Sequence, residues 1–126
     1  MSQKLLKPTE SEIEILRVLW DKGKATVREV HEVLSKTKES GYTTTLKLLQ
    51  IMLEKGLVSR DDSKKTHVYA PAVSKVKTQK QFLDKMINSL FAGSSTQLVL
   101  QALGNQRTSK DELDEIQKYL NNLKND

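Results

Sequence analysis

Apolar residues recur along this chain with changing rhythm, and each change marks an element. From Thr9 the spacing is helical. Ile13, Leu16 and Trp20 share one stripe, Ile15 and Leu19 lie beside it, and Gly23 closes the segment. Thr9-Glu10-Ser11-Glu12 at its head has the form of a capping box, in which the hydroxyl takes an amide one turn ahead and the glutamate reaches back. Thr26-Val27-Arg28-Glu29 repeats the signature before a stripe of Val27, Val30 and Leu34, predicting a second helix of about 10 residues. A third begins after Gly41-Tyr42 and stops at Gly56. Leu46, Leu48, Leu49, Ile51, Met52 and Leu53 make it apolar nearly all round, so two registers compete. One buries Leu46, Leu49 and Leu53. The other buries Thr45, Leu48, Leu49 and Met52, and is the better match to i, i+3, i+4, i+7. Thr44 and Lys47 face outward in both, Gln50 only in the second.

Beyond Gly56 the period shortens. Leu57–Asp61 and Thr66–Pro71 read as strands around a polar turn, Asp62-Ser63-Lys64-Lys65. Helical spacing then returns. Ser74 heads a long helix with Leu83, Met86, Ile87, Leu90 and Phe91 on one face, and Ala92-Gly93-Ser94-Ser95 breaks it. Leu98, Val99, Leu100, Ala102 and Leu103 form a short helix apolar around most of its circumference, and such a helix is expected to be buried. Gly104–Thr108 is a turn. Ser109-Lys110-Asp111-Glu112 is a third capping box, leading into Leu113, Ile116, Leu120 and Leu123 at the spacing of an a/d seam.

Helix, helix, turn, helix, hairpin is the element order of a winged helix-turn-helix, whose third helix enters the DNA major groove with the hairpin beside it. The expected fold is therefore mainly α: a winged helix with a two-stranded wing over residues 1–73, then a three-helix dimerisation module over residues 74–126. Three helices in about 50 residues carry more apolar face than one thin layer can cover. A second copy is the simplest cover, with Leu83, Met86, Ile87, Leu90, Leu98, Leu100, Leu113, Ile116, Leu120 and Leu123 as interface candidates. The alternative is that these helices fold back on the winged-helix core.

Charge adds little by itself. The 126 residues carry a net +5 and a pI near 9.4, which favours anionic partners. The excess is spread evenly: residues 1–73 hold 13 basic and 10 acidic side chains, and residues 74–126 hold 8 and 6. Any basic patch must be assembled by folding. Cysteine is absent, which removes disulfides, thiolate metal sites and a cysteine nucleophile. No run approaches the roughly 20 apolar residues that span a bilayer. Met1–Pro8 has no long apolar core or cleavage pattern. A cytoplasmic protein without direct membrane insertion is expected.

The chain resembles the BlaI/MecI-type penicillinase and methicillin-resistance repressors. The carriers are Thr9–Leu16 with Leu19-Trp20, Thr26–Val30, Tyr42–Leu46 through Glu54–Val58, His67-Val68-Tyr69, Leu98-Val99-Leu100 and Ser109–Ile116. No one of these is very specific; their order over nearly the whole chain is. The resemblance implies a homodimeric repressor of a palindromic operator. In the best-known members a membrane-bound sensor leads to cleavage within the C-terminal module, which releases DNA. By this resemblance the corresponding bond here lies near Gln101-Ala102, where the residues differ from the Asn-Phe pair of those members. Copper-sensing members use C-terminal cysteines, and that mode is excluded here.

Within this element order Thr43, Thr44, Lys47 and Gln50 are the candidates for reading DNA from the third helix, through hydroxyls, amides and one ammonium. Lys64 and Lys65 are wing candidates for phosphate, with Arg60, Arg28 and Thr26 as weaker backbone contacts. Outside that order each would read as a solvated surface residue. His31 and His67 lack metal-ligand company, so no metal or cofactor is expected. No nucleophile triad, phosphate-binding glycine loop or dinucleotide fingerprint occurs, so the chain is not read as an enzyme. The rival reading is a winged-helix protein-interaction module, which the apolar third helix would suit.

Overall fold

A computed structural model describes residues 7–105 and 107–125. Residues 1–6, which hold most of the N-terminal segment considered above, lie outside it, as does Gln106 in the predicted turn Gly104–Thr108. The elements are α1 (Glu10–Lys22), β1 (Ala25–Thr26), α2 (Val27–Leu34), α3 (Tyr42–Lys55), β2 (Val58–Asp61), β3 (Val68–Pro71), α4 (Lys75–Ser89), α5 (Ser95–Gly104) and α6 (Lys110–Lys124). They form two compact units, the first ending at Thr78 and the second beginning at Gln79.

All three capping boxes form. Thr9, Thr26 and Ser109 each accept the amide of the glutamate three residues on, and that glutamate accepts the cap amide in return. Gly56 ends α3 in the left-handed region, at φ 81°, where any side chain would be strained. The turn returns Leu57 N–H to Met52 O at 2.9 Å, so the chain reverses directly into β2.

The core of the first unit is Ile15, Leu16, Val18 and Leu19 of α1, Val27 and Val30 of α2, Leu49 and Met52 of α3, and Ala25, Leu57, Val58 and Tyr69 around the sheet. Fully burying a leucine or isoleucine contributes about 1.5–3 kcal/mol. The buried stripe of α1 differs from expectation: Ile13 and Trp20 are only half-buried. Trp20 still closes the unit, because its indole N–H donates to Val73 O at 3.0 Å, just past the wing. In α3, Thr45, Leu49 and Met52 are fully buried and Gln50 is exposed, which selects the second register.

The sheet gains a strand that the alternation did not reveal. β1 pairs antiparallel with β3, which pairs with β2, in the order β1-β3-β2. The two-stranded wing is the β2–β3 hairpin, and β1 adds two residues to its inner edge.

The second unit leaves its apolar faces largely uncovered in the single chain. α5, apolar around most of its surface, has no buried residue; Val99 is 47% and Leu100 59% exposed in the single chain. Leu83, Met86, Leu90, Leu113, Leu120 and Leu123 are exposed as well, and Ile87, Leu98 and Ile116 are half-buried. The physical reason is supply: three short helices in one copy do not provide enough surface to cover one another's apolar faces.

Candidate nucleic-acid interface

The outer edge of α3 is built by its register. With Thr45, Leu49 and Met52 turned into the core, Thr43, Thr44, Lys47 and Gln50 are exposed. The helix start differs from the others with identified caps. Thr9, Thr26, Ser94 and Ser109 cap theirs with side chains, whereas Gly41 supplies none to α3. The first amides of α3, beside the Thr43 and Thr44 hydroxyls, are thus without a side-chain acceptor, an arrangement suited to an anion. Tyr42 packs edge-on against His31 of α2, ring centroids 5.8 Å apart, and braces this end of α3.

The other end is braced by charge. Glu12 sits among the buried residues of α1, its side chain 3% exposed, and Lys55 Nζ in the last turn of α3 lies 2.6 Å from its Oε1. The same carboxylate accepts the Thr9 amide at 2.9 Å. Burial pushes the Glu12 pKa up, but the hydrogen bonds from Lys55 and Thr9 outweigh it and leave the pKa below 4.5. A carboxyl depressed in the folded state contributes stability above its unfolded pKa, and that contribution is lost as pH falls through the folded value. Lys55→Ala is therefore expected to cost about 2 kcal/mol at neutral pH, because it strands a buried carboxylate. The gap between variant and wild type should narrow once Glu12 protonates. Denaturant unfolding at neutral and acid pH measures it; an equal gap at both would contradict the assignment.

The hairpin carries Arg60, Lys64 and Lys65. Lys64 and Lys65 are exposed at its turn and form no ion pair among the described residues. Asp61 Oδ1 accepts the Ser63 amide at 2.9 Å, which orders the turn and lowers the Asp61 pKa. Arg60 is engaged with Asp62. Thr26 is half-exposed and its hydroxyl is occupied by the Glu29 amide; Arg28 beside it is exposed. Two features escaped the sequence reading. Asp62 passed as a turn residue although it stands two residues from Arg60, the spacing that shares a strand face. Glu12 passed as a cap although it also falls in step with Ile15, Leu16 and Leu19. Among the described residues no group of three His, Cys, Asp or Glu side chains is placed to hold a metal.

Comparison with known proteins adds to this geometry. The model of a family described as penicillinase repressor matches residues 8–122. The penicillinase repressor of Bacillus licheniformis is 24% identical over 123 residues, covering 98% of this chain and 96% of that protein. The methicillin resistance regulatory protein MecI of Staphylococcus aureus (strain N315) is 27% identical over 125 residues, covering 96% and 98%. A solved structure of Bacillus licheniformis BlaI, in its monomeric form in complex with the blaP half-operator, superposes with a TM-score of 0.50 at 25% identity, covering 57% of this chain and 88% of that one.

Proposed function

The chain belongs to the penicillinase repressor family, and from that premise we propose that it is a DNA-binding transcriptional repressor acting as a homodimer on a palindromic operator. The family is one of repressors and not of enzymes. One observation carries the reading: α3 exposes Thr43, Thr44, Lys47 and Gln50 along one edge, in a fold shared with a BlaI that was solved on a half-operator. Lys47 and Gln50 read base edges, Thr43 and Thr44 anchor α3, and Lys64 and Lys65 hold phosphates from the wing. Thr26 and Arg28 are backbone contacts of lesser weight, while Arg60, the third such candidate in the sequence, is taken up by Asp62.

Residues 1–73 serve as the reading head and residues 74–126 as the dimer module. The exposed faces of α4, α5 and α6 support the homodimer, since apolar surface of this extent marks an interface. Derepression through a membrane sensor protease pathway would act at Gln101-Ala102. Both residues are exposed, but they lie inside α5, so a protease needs that helix locally unwound. No described helix is long and apolar enough to cross a membrane, and the cytoplasm is the location that suits a repressor.

Salt titration of operator binding tests the wing. Lys64→Ala/Lys65→Ala should weaken specific and non-specific binding alike. It should flatten the slope of log affinity against log salt by about 0.9 for each phosphate that a subunit no longer holds. An unchanged slope would remove the wing from the interface. Absence of any salt-dependent duplex binding would favour the protein-interaction module, for which the exposed Ile51 of α3 would be a contact.

A further inference from the structure

The hairpin's single arginine is already engaged. Arg60 and Asp62 stand two residues apart where β2 runs into the turn. Arg60 Nε lies 2.6 Å from Asp62 Oδ1, and Nη2 donates to Oδ2 at 3.2 Å. His67 Nε2 approaches the same Oδ1 at 3.7 Å from the other side of the turn. Arg60 pairs across the ladder with the buried Tyr69, and its Nε, shielded from solvent, has no hydrogen-bond partner, so Nη2 alone donates to Asp62. Of the hairpin's three cations, Lys64 and Lys65 are thus open, while the third already has a carboxylate in the fork that would otherwise take a phosphate.

We propose that Asp62 is an affinity-determining residue of DNA reading: by occupying the Arg60 guanidinium, it keeps a third phosphate contact of each wing unmade. The ligand chemistry is the sugar–phosphate backbone of duplex DNA, and the inference rests on the wing being a phosphate-holding element. Asp62 is not needed to shape the turn, because Asp61 takes the Ser63 amide. Nor does the pair do much for stability: Asp62 is 51% exposed, and exposed ion pairs contribute little. Its effect falls on the field the wing presents to DNA. Neutralising Asp62 frees the guanidinium and removes a charge that repels phosphate.

The test is a salt titration of the full chain on a mixed-sequence duplex of about 30 base pairs, long enough for two reading heads. The variants are Asp62→Asn, Arg60→Gln, the double variant and Lys64→Ala/Lys65→Ala. Asp62→Asn should bind more tightly and steepen the log–log slope by about 0.9 per subunit. Arg60→Gln should leave the wild-type slope unchanged, and the double variant should return to it. A wild-type slope for Asp62→Asn overturns the proposal, as does a steep slope that survives in the double variant, since charge removal alone would then explain it. If the lysine pair flattens the slope while Asp62→Asn does nothing, only this inference fails. If neither changes it, the wing reading fails too.

Discussion

A chain cut after Thr78 is expected to keep its fold and to lose operator affinity by roughly 10²–10⁴-fold. The fold survives because every buried apolar side chain among the described residues lies between Ile15 and Tyr69, and the Trp20–Val73 bond that closes the unit is retained. Affinity falls because two linked heads find two half-sites as one event, the second at a millimolar effective concentration. Cutting the link leaves each head to bind alone. Ile116→Lys makes the same point within the full-length chain. It places an unpaired ammonium in the middle of the α6 seam, where Ile116 is half-buried in the single chain and the proposed second copy would cover it. Sedimentation should find wild type dimeric at micromolar concentration and Ile116→Lys shifted toward monomer, with operator binding falling in parallel. A monomeric wild type would remove the dimer, and equal affinity for the cut and full chains would remove its role in DNA binding.

What could be read from sequence followed the range of the interaction. The helix starts at Thr9, Thr26 and Ser109 were legible because a capping box closes within four residues and leaves its whole signature in the chain. The end of α3 was legible for the same reason, since only glycine suits the left-handed turn at residue 56. The register of α3 stayed open because leucine or isoleucine stands on nearly every face, and neighbouring helices decide which are covered. β1 left no period to detect: two residues, one of them already a helix cap, cannot alternate. The Glu12–Lys55 pair joins residues 43 apart in sequence, and nothing local marks that Glu12 is buried. α5 was legible as a helix that needs cover, but periodicity does not say whether the same chain or a second copy supplies that cover. For the candidate site, the outer edge of α3 was legible once its register was chosen, whereas the capture of Arg60 by Asp62 needed side-chain geometry.

Lys47 carries the second large effect. It is exposed at the centre of the outer edge of α3, between Thr44 and Gln50, each nearly one turn away. A lysine there reaches the guanine O6 and N7 acceptors in the major groove. Truncating it should cost about 1–3 kcal/mol in each half-site, so a palindrome bound by two subunits loses up to twice that. The penalty differs in kind from that of the wing variants. Releasing a phosphate weakens binding to every duplex, whereas releasing a base edge weakens binding to the cognate duplex and leaves others nearly unchanged.

The most direct test measures wild type and Lys47→Ala on a palindrome selected from random duplexes, with half-sites about 10 base pairs apart or a multiple of that. Each base pair of one half-site is then changed in turn, symmetrically with its mate. The account predicts that Lys47→Ala loses affinity on the selected site and no longer distinguishes bases at one position per half-site, while its preferences elsewhere stay as in wild type. If Lys47→Ala keeps the wild-type affinity and the wild-type preference at every position, α3 is not the reading helix and the central claim falls.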